Sequence, residues 1–414
     1  MKRTSHCAPA YLLLCAIAFC FPLPAKGVTP LELTASNATN GINFGWAVAS
    51  AGDLMVIGAP ANENALGAAY VFARTGSGWQ HVAELTASDG ADGDFFGFAV
   101  GISGNTVVVG APDHAVGGSF QQGAVYIFVR PSTGWSDMTE TAELTVSDGQ
   151  VGDRLGYSLA IQGNTVVSGA ANASPNGSTD EGAAYIFVEP NTGWATTSQF
   201  NAELAASDGS LYDQFGWSTA MYGDTVVIGA YGTNGGSGSA YVFVKPASGW
   251  SNATQTAELT GTDAAPYYFF GWSVAISGNT ICVGATQQDL STETGKAYVY
   301  REPSRGWTNM TQTAELTPSD GTAGEEFGVS VSILNSTVAV GALNGTATGG
   351  AAYVFLESST GWRNENQSAK LTAANGSASN KFGQSVLIAG QELIVGAPNT
   401  DIGASDFAGE TYIF

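Results

Sequence analysis

Pairs of aspartates five residues apart are the strongest candidates for binding chemistry in this sequence. They belong to loops of the form SDGxxGD that begin at residues 88, 147 and 207 and recur in weaker form at 36, 262, 319 and 374. Carboxylate oxygens, together with backbone carbonyls, are the ligands that Ca²⁺ prefers in proteins. The candidate calcium ligands are Asp89, Asp94, Asp148, Asp153, Asp208, Asp213 and Asp320.

The same aspartates can instead stabilise the loops themselves. An Asp-Gly pair forms an Asx turn, and the second aspartate can accept hydrogen bonds from backbone N–H groups just before the next strand. Each loop brings only two or three carboxylates, which is few for an ion that takes six to eight oxygens. The sequence therefore favours the loop-stabilising role, with no cofactor required, and leaves calcium at these loops as the alternative.

Isolated aromatic and histidine side chains form a second group of candidates. The aromatic residues that break the repeating pattern, and that we expect to contact a sugar or a protein partner, are Phe120, Tyr212, Tyr231, Tyr267 and Tyr268. The tryptophans of Gly-Trp pairs recur about once per unit, which is typical of packing between units. His81 and His114 have no counterparts in other units, and we expect both to be solvated surface side chains.

Motifs of catalysis are not evident. The sequence shows no metalloprotease helix motif, no nucleophile elbow and no Cys/His metal spacing. Carboxylate pairs are abundant, but nothing singles out one of them as the acid/base pair of a glycosidase. We therefore predict that the protein is not an enzyme, and a polysaccharide lyase or hydrolase is the least favoured function.

Charge and the first residues restrict the partners and the location. The 414 residues include 35 Asp+Glu against 13 Lys+Arg, a net charge of −22 that repels nucleic acid and anionic membranes. Lys2 and Arg3 precede an apolar run at 11–21 that is too short to span a bilayer, so residues 1–25 are predicted to be a signal peptide. Its removal would leave Cys282 as the single cysteine, so we expect no internal disulfide. The mature protein should be a monomer, secreted or at the cell surface or periplasm, without membrane insertion.

A repeat of about 55 residues organises the chain. Each unit opens on a Phe-Gly or Leu-Gly pair, followed by a Gly-Ala pair, a Tyr-x-Phe strand, usually a Gly-Trp pair, and a segment like AELT. The first glycines lie at 45, 97, 156, 216, 271, 328 and 383. Each unit holds four short β-patterned runs, and no window shows a sustained helical period.

Seven such units predict an all-β, seven-bladed β-propeller of four-stranded antiparallel blades, in one domain over residues 28–414. The blades are predicted at about 44–86, 96–146, 155–206, 215–260, 270–317, 327–373 and 382–414. The last blade lacks an outer strand, and LELT at 31–34 has no blade before it, so we expect this N-terminal strand to complete blade seven. In the first strands, small residues such as Ala47 and Ala49 alternate with bulky ones such as Trp46 and Val48, which favours close packing between blades.

These motifs carry a family resemblance. The pattern FGxSVAIxGNTVVVGAP, followed by GAAYVF, resembles the FG-GAP repeat, the unit of the seven-bladed propeller in integrin alpha-chain heads, and is most similar to secreted prokaryotic versions. The resemblance covers residues 31–414 and implies an adhesion-type propeller. Calcium-binding members carry a D-x-D-x-D-G loop between the first two strands, whereas this chain has tight hairpins such as SGNT at 103, so that calcium site is not expected here.

The loops between second and third strands and the loops between blades should share one face. Aspartates and variable loop sequences concentrate there, while Arg74, Arg130 and Lys245 fall on the other face. A uniform scaffold with one variable polar face is typical of binding proteins. We therefore predict a non-enzymatic binding module that recognises a protein or glycan on its acidic face. A structural or assembly role without a small ligand is the alternative.

Overall fold

The computed structural model describes residues 29–60, 66–287, 293–344, 349–377 and 379–414. These residues form seven β-sheets, and the first strands of consecutive sheets contact one another around a closed ring. The protein is therefore a seven-bladed β-propeller, as the repeat predicts. The predicted signal peptide at 1–25 lies outside the described residues.

Each blade is an antiparallel meander whose first strand lies nearest the central axis. In chain order the strands are β1 (Leu31–Leu33), β2 (Ala47–Ala51), β3 (Leu54–Ala59), β4 (Ala68–Thr75), β5 (Gly78–Thr86), β6 (Ala99–Ser103), β7 (Thr106–Ala111), β8 (Ala124–Val129), β9 (Met138–Thr139), β10 (Ala142–Leu144), β11 (Leu155–Gln162), β12 (Thr165–Ala170), β13 (Ala183–Val188), β14 (Ala202–Ala205), β15 (Ser218–Tyr222), β16 (Thr225–Ala230), β17 (Ser239–Val244), β18 (Ala253–Thr254), β19 (Ala257–Thr260), β20 (Phe270–Ser277), β21 (Thr280–Ala285), β22 (Lys296–Arg301), β23 (Met310–Thr311), β24 (Ala314–Thr317), β25 (Ser330–Leu334), β26 (Thr337–Ala342), β27 (Ala351–Leu356), β28 (Glu365–Asn366), β29 (Ala369–Leu371), β30 (Ser385–Ala389), β31 (Glu392–Ala397) and β32 (Glu410–Ile413). Blades one to seven begin at β2, β6, β11, β15, β20, β25 and β30. A single turn of helix, α1 (Thr233–Gly236), lies in the loop after β16.

The core lies between the second and third strands of adjacent blades. In blade two, β7 and β8 are buried except at single end residues. The ring of Phe96, from the Phe-Gly pair, packs 5.3 Å from the ring of Tyr126 and 6.0 Å from that of Phe128, edge to face. The Tyr-x-Phe strand is thus the surface on which each Phe-Gly phenylalanine packs.

Small residues let neighbouring blades meet backbone to backbone, as the alternation in the first strands predicts. A Cβ atom added at Gly110 would lie well under 3.0 Å from the carbonyl oxygen of Gly156 in the next blade. The hydroxyl of Ser218 donates to the carbonyl of Gly271, again in the next blade, at 2.8 Å. Contact distance therefore requires glycine at position 110, and serine at position 218 adds a hydrogen bond between blades.

The rims of the blades are joined by a feature that the repeat did not predict. The two-residue strands β9, β18, β23 and β28 each pair in parallel with the outer strand of the preceding blade. Four of the seven described sheets therefore have five strands rather than four. Side chains reinforce this contact: Oδ1 of Asn252 accepts from the N–H of Glu203 at 3.0 Å, and Oδ1 of Asn309 from the N–H of Glu258 at 2.9 Å.

The two ends of the chain close the ring, as predicted. β1 pairs with β32 in antiparallel register, with Leu31 opposite Ile413 and Leu33 opposite Thr411. Leu33 and Ala35 are buried in the cluster between blades seven and one. The N-terminal strand therefore covers the edge of β32 that would otherwise be open.

Within the described residues, no helix has the length and apolarity needed to cross a membrane. Cys282 lies buried in β21 as a free thiol.

Candidate functional site

One face of the ring, here called the loop face, carries the connections between second and third strands and the connections between blades. In blade two these are residues 112–123 and 145–154. The N–H groups of Gly152 and Arg154 donate to the carbonyls of Phe120 and Gln121 at 3.1 and 3.0 Å, so the two kinds of loop are bonded together. The opposite face, here called the hairpin face, carries the turns between first and second strands and between third and outer strands. This division is the one predicted.

An arc of aromatic rings surrounds much of the axis at the loop face. Each ring follows the glycine of a Phe-Gly or Leu-Gly pair, where first strands of adjacent blades approach one another. Successive ring centroids are 5.4 Å apart for Trp46 and Phe98, 4.8 Å for Phe98 and Tyr157, 4.6 Å for Tyr157 and Trp217, and 4.8 Å for Trp217 and Trp272. We call these five residues the aromatic arc. All are half-buried.

The aromatic arc corrects one expectation from the sequence. The bulky residues of the first strands were expected to be core between blades, and Val48 and Val100 do contact the hydrophobic clusters. Trp46 and Phe98 differ, because their rings contact each other at the mouth of the axis and keep part of their surface open, and Trp272 does the same with Trp217. Period-two alternation shows which face of a strand a residue is on, but not how near it lies to the end of the axis.

Of the aromatic residues singled out by the sequence, Tyr231 and Tyr267 join the arc. The ring of Tyr231 lies 4.6 Å from that of Trp217 and 4.9 Å from that of Trp272. Phe269 connects Tyr231 to the exposed ring of Tyr267, with centroids 5.4 and 6.4 Å apart.

The other three predicted residues are not part of this group. Phe120 and Tyr212 are exposed on the loop face, and Tyr268 is half-buried beside Phe269 in sequence. Among the described residues, no ring of the arc contacts any of these three. They therefore lie at the rim of the arc and do not extend it.

The second aspartate of each SDGxxGD loop stabilises the backbone. Oδ2 of Asp94, Asp153 and Asp213 accepts a hydrogen bond from the backbone N–H three residues earlier, at 2.8, 2.7 and 2.8 Å. All three side chains are buried ahead of the Phe-Gly or Leu-Gly pair. These bonds are the ones that the loop-stabilising interpretation predicts. Calcium at these loops stays a prediction.

The first aspartate belongs to a cluster that has a counterpart in every blade, with asparagine in its place in blades one and seven. The tyrosine of the Tyr-x-Phe strand pairs across the sheet with an acidic or basic residue of the outer strand, as Tyr126 does with Glu143. The hydroxyl of Tyr126 donates to Oδ1 of Asp89 at 3.0 Å. We call the aspartate, the tyrosine and the paired outer-strand residue the Asp-Tyr-Glu cluster, and its members change from blade to blade.

In blades five and six, the ammonium group of a lysine lies within the cluster. In blade five, Nζ of Lys296 lies 2.5 Å from Oδ2 of Asp263 and 3.0 Å from Oε1 of Glu315. Burial by itself would raise the pKa of Asp263, but the hydrogen bonds from Lys296 and the tyrosine hydroxyl outweigh burial and lower it. In blade six, Lys370 lies 2.8 Å from Asp320.

Blade three leaves the cluster open. Asp148, Asp153, Tyr185 and Glu203 line a cleft of about 280 Å³, and no lysine or arginine is among the described residues that line it. Burial, followed by the charge of Asp148, raises the pKa of Glu203. In blade four, burial and then the charges of Asp208 and Glu181 raise the pKa of Asp213 to about 6, against the opposing bond from Ser210.

His114 was expected to be a solvated surface side chain, and that prediction is wrong. The residue is 7% exposed and fills, in blade two, the position that Ala173 occupies in blade three. Its Nδ1 lies 2.7 Å from Oδ2 of Asp94, while its Nε2 lies 3.7 Å from Oδ2 of Asp89 and 3.9 Å from Oε1 of Glu143. The histidine therefore belongs to the Asp-Tyr-Glu cluster. His81, in contrast, is exposed as predicted.

Comparison with known proteins agrees with this architecture. The family model described as FG-GAP repeat matches residues 31–72, 79–128, 138–187, 199–243, 253–300, 310–355 and 366–414. The chain belongs to the FG-GAP repeat family. Each match runs from one outer strand through three inner strands of the next blade, so the FG-GAP unit is offset by one strand from the structural blade.

A solved structure shares the fold of this FG-GAP propeller. The WD40 β-propeller domain of Doa1 superposes with a TM-score of 0.51 at 11% sequence identity, over 93% of this chain and 95% of that chain. No curated protein matches the sequence.

The buried carboxyls of this FG-GAP propeller should make it more stable in mild acid than at neutral pH. The folded-state pKa of Asp213 is about 6, above the value of about 3.9 in an unfolded chain. Between these values the folded state binds more protons, so stability falls as pH rises through this window and stays low above about pH 6. We expect a melting temperature that is higher at pH 5 than at pH 7.5, by differential scanning fluorimetry.

An asparagine at position 213 tests the origin of this effect. Asn380 stands at the equivalent position in blade seven, so Asp213→Asn should fold, and it should reduce the loss of stability between pH 5 and 7.5. Asp224→Asn, at a highly exposed carboxylate on the hairpin face, is the matched control and should leave the pH profile unchanged. Added salt screens general charge repulsion but not this buried group. Identical profiles for both variants would contradict the assignment.

Proposed function

We propose that this FG-GAP propeller is an exported, non-enzymatic binding protein that recognises a glycan at the mouth of its axis. The observation that carries the proposal is the aromatic arc: five half-buried rings in contiguous blades, continued by Tyr231 and Tyr267 on the same face. Concave sites lined by aromatic side chains with a few polar groups are typical of ligand binding. Sugar rings present apolar C–H faces that stack on such rings.

Charge restricts the ligand of the proposed site. The net charge of −22 disfavours anionic polymers, whereas a neutral glycan meets no electrostatic barrier. Gln384 follows the Phe-Gly pair of blade seven, and Lys381 lies with its Nζ 6.0 Å from the ring centroid of Trp46, so polar groups stand at the open end of the arc. They can orient a sugar through its hydroxyl groups.

The proposal assigns no catalytic residue. The buried second aspartates are bonded to the backbone, and the clusters of blades five and six each contain a lysine paired with an aspartate. Calcium at the acidic loops would be an accessory ion under this proposal and is not required for binding. Export rests on the sequence features of residues 1–25.

Substitution in the arc tests the site. A glycan array followed by calorimetry with the best neutral polysaccharide should show binding that Trp217→Ala weakens at least about tenfold, because a tryptophan at the centre of a contact carries much of the binding energy. Trp46→Ala, at the end of the arc, should weaken it less. Tyr222→Ala removes an exposed aromatic residue from the hairpin face and should leave affinity unchanged. Absence of carbohydrate binding by the wild-type protein would contradict the glycan proposal.

A protein partner is the second candidate, because the loop face also exposes scattered large apolar side chains. These are Leu66, Phe120, Val151, Leu211, Tyr212, Tyr267 and Phe407. Aromatic side chains such as Phe120 and Tyr212 are of the type enriched at protein–protein interfaces. A ligand whose binding is lost in the Phe120→Ser, Tyr212→Ser double variant but is kept in Trp217→Ala would favour this candidate over a glycan.

A further inference from the structure

Blade two carries an Asp-Tyr-Glu cluster that contains a buried imidazole. We propose that Nε2 of His114 and the carboxylates of Asp89 and Glu143 bind a divalent first-row transition-metal ion such as Zn²⁺, and that Asp94 positions the imidazole for it. The proposal is independent of the glycan site, because none of these residues belongs to the aromatic arc.

The three ligand atoms are spaced as a metal ion requires. One atom from each of His114, Asp89 and Glu143 lies within 4.8 Å of the other two. Nε2 is 3.7 Å from the Asp89 oxygen and 3.9 Å from the Glu143 oxygen, longer than hydrogen bonds. A tetrahedral Zn²⁺ with bonds of about 2.1 Å holds its ligand atoms about 3.4 Å apart. Shifts of a few tenths of an ångström would bring Nε2 to this distance from the Asp89 and Glu143 oxygens.

Asp94 fixes which nitrogen of His114 is free to bind an ion. Its Oδ2 accepts the N–H of Ala91 at 2.8 Å and lies 2.7 Å from Nδ1 of His114. A carboxylate oxygen accepts hydrogen bonds, so Nδ1 is the nitrogen that Asp94 holds, and Nε2 is the nitrogen that faces Asp89 and Glu143. A carboxylate bonded to the far nitrogen of a histidine is the usual outer-shell arrangement at metal sites.

Blade five shows that this position can hold a cation. In blade five, Asp263 and Glu315 stand where Asp89 and Glu143 stand in blade two, and the ammonium of Lys296 lies between them. Two carboxylates and one ammonium leave one net negative charge there. Blade two has three carboxylates, including Asp94, and no lysine, so a doubly charged ion brings it to the same balance. In blade three the equivalent carboxylates face an open cleft, where water can solvate them.

The donor set selects the class of ion. Imidazole nitrogen suits zinc and its neighbours, whereas Ca²⁺ takes oxygen ligands almost exclusively. The Asp89 side chain is 47% exposed, so an ion here keeps an open coordination position toward solvent on the loop face. The site therefore has three protein ligands, with water as the fourth.

Calorimetry on the full mature chain, stripped with chelator and dialysed, tests the site with Zn²⁺ as the probe. We expect about one high-affinity ion per chain, not displaced by excess Ca²⁺, and a Co²⁺ adduct with the intense visible absorption of tetrahedral coordination. His114→Ala should lower Zn²⁺ affinity by more than about 100-fold, and it should fold because Ala173 occupies the same place in blade three. Asp94→Asn keeps an oxygen that can accept the N–H of Ala91, and it should lower affinity by about 10- to 100-fold.

Blade three supplies the matched controls. Asp148→Asn and Glu203→Gln remove carboxylates at the positions equivalent to Asp89 and Glu143, in a cluster without histidine, so Zn²⁺ affinity should not change. The proposal is overturned if the wild-type protein binds no Zn²⁺. It is equally overturned if binding survives His114→Ala or falls as much in Asp148→Asn, since the ion would then associate with the acidic surface in general.

Discussion

A chain lacking residues 29–36 is expected to lose about 10 °C of melting temperature or to aggregate, because the ring can no longer close. The deletion removes the pairing of β1 with β32 and the burial of Leu33 and Ala35 between blades seven and one. Three residue pairs of sheet and a buried leucine contribute on the order of 5 kcal/mol. The deletion also exposes the edge of β32, and an exposed strand edge favours pairing with a strand of another molecule. Circular dichroism melts and size-exclusion chromatography measure both effects.

Two leucines on the same strand provide a graded version of this test. Leu33 is 8% exposed and Leu31 is 45% exposed. Leu33→Ala should cost about 2–3 kcal/mol of unfolding free energy, whereas Leu31→Ala should cost little. Equal effects of the two substitutions, or an unchanged melting temperature after the deletion, would mean that this strand does not stabilise the ring.

Gly110→Ala is expected to destabilise the propeller by more than about 3 kcal/mol, although it adds a single methyl group. The added Cβ would overlap the carbonyl oxygen of Gly156, and its nearest neighbours are all backbone atoms of that residue. A flexible side chain can move aside, but here two blades would have to separate. Urea unfolding, or the soluble yield if the variant does not fold, measures the loss.

Gly76→Ala is the matched control for this substitution. Gly76 has no heavy atom within 4 Å of an added Cβ, and like Gly110 it does not have the positive φ that disfavours alanine. Its replacement should leave stability unchanged or slightly improved. If both variants behaved alike, the close approach of the blades would not explain the glycine at position 110.

The sequence predicted the ring because a repeat reports the same local environment seven times. Each blade makes the same contacts, such as Phe96 on Tyr126 in blade two. These contacts explain why the Phe-Gly pair, the glycine of the second strand and the Tyr-x-Phe strand recur. The unmatched LELT segment predicted the closure for the same reason. The parallel strands at the rim were missed because two residues, such as Met138 and Thr139, are too short to show a period.

The candidate site was less predictable, because it depends on how blades are placed around the axis. Asp94 and Asp213 were correctly interpreted as backbone caps, since that role is local. Trp217 joins Trp272 only through the arrangement of two blades. His114 was misjudged because it has no counterpart in other units. Aligning it with Ala173 places it three residues beyond the second strand and beside Asp94, which is the signal that could have found it.

The closure strand also determines how the ring responds to tension. The register that sets Leu31 opposite Ile413 places the start of β1 beside the end of β32. Hydrogen bonds between antiparallel strands run perpendicular to the strands, so a force that separates these two ends loads the bonds one after another, as in unzipping. Opposing forces along the strand direction would load them together. When the propeller is pulled at these two strand ends, we therefore expect β1 and β32 to separate first, while the other blades stay intact.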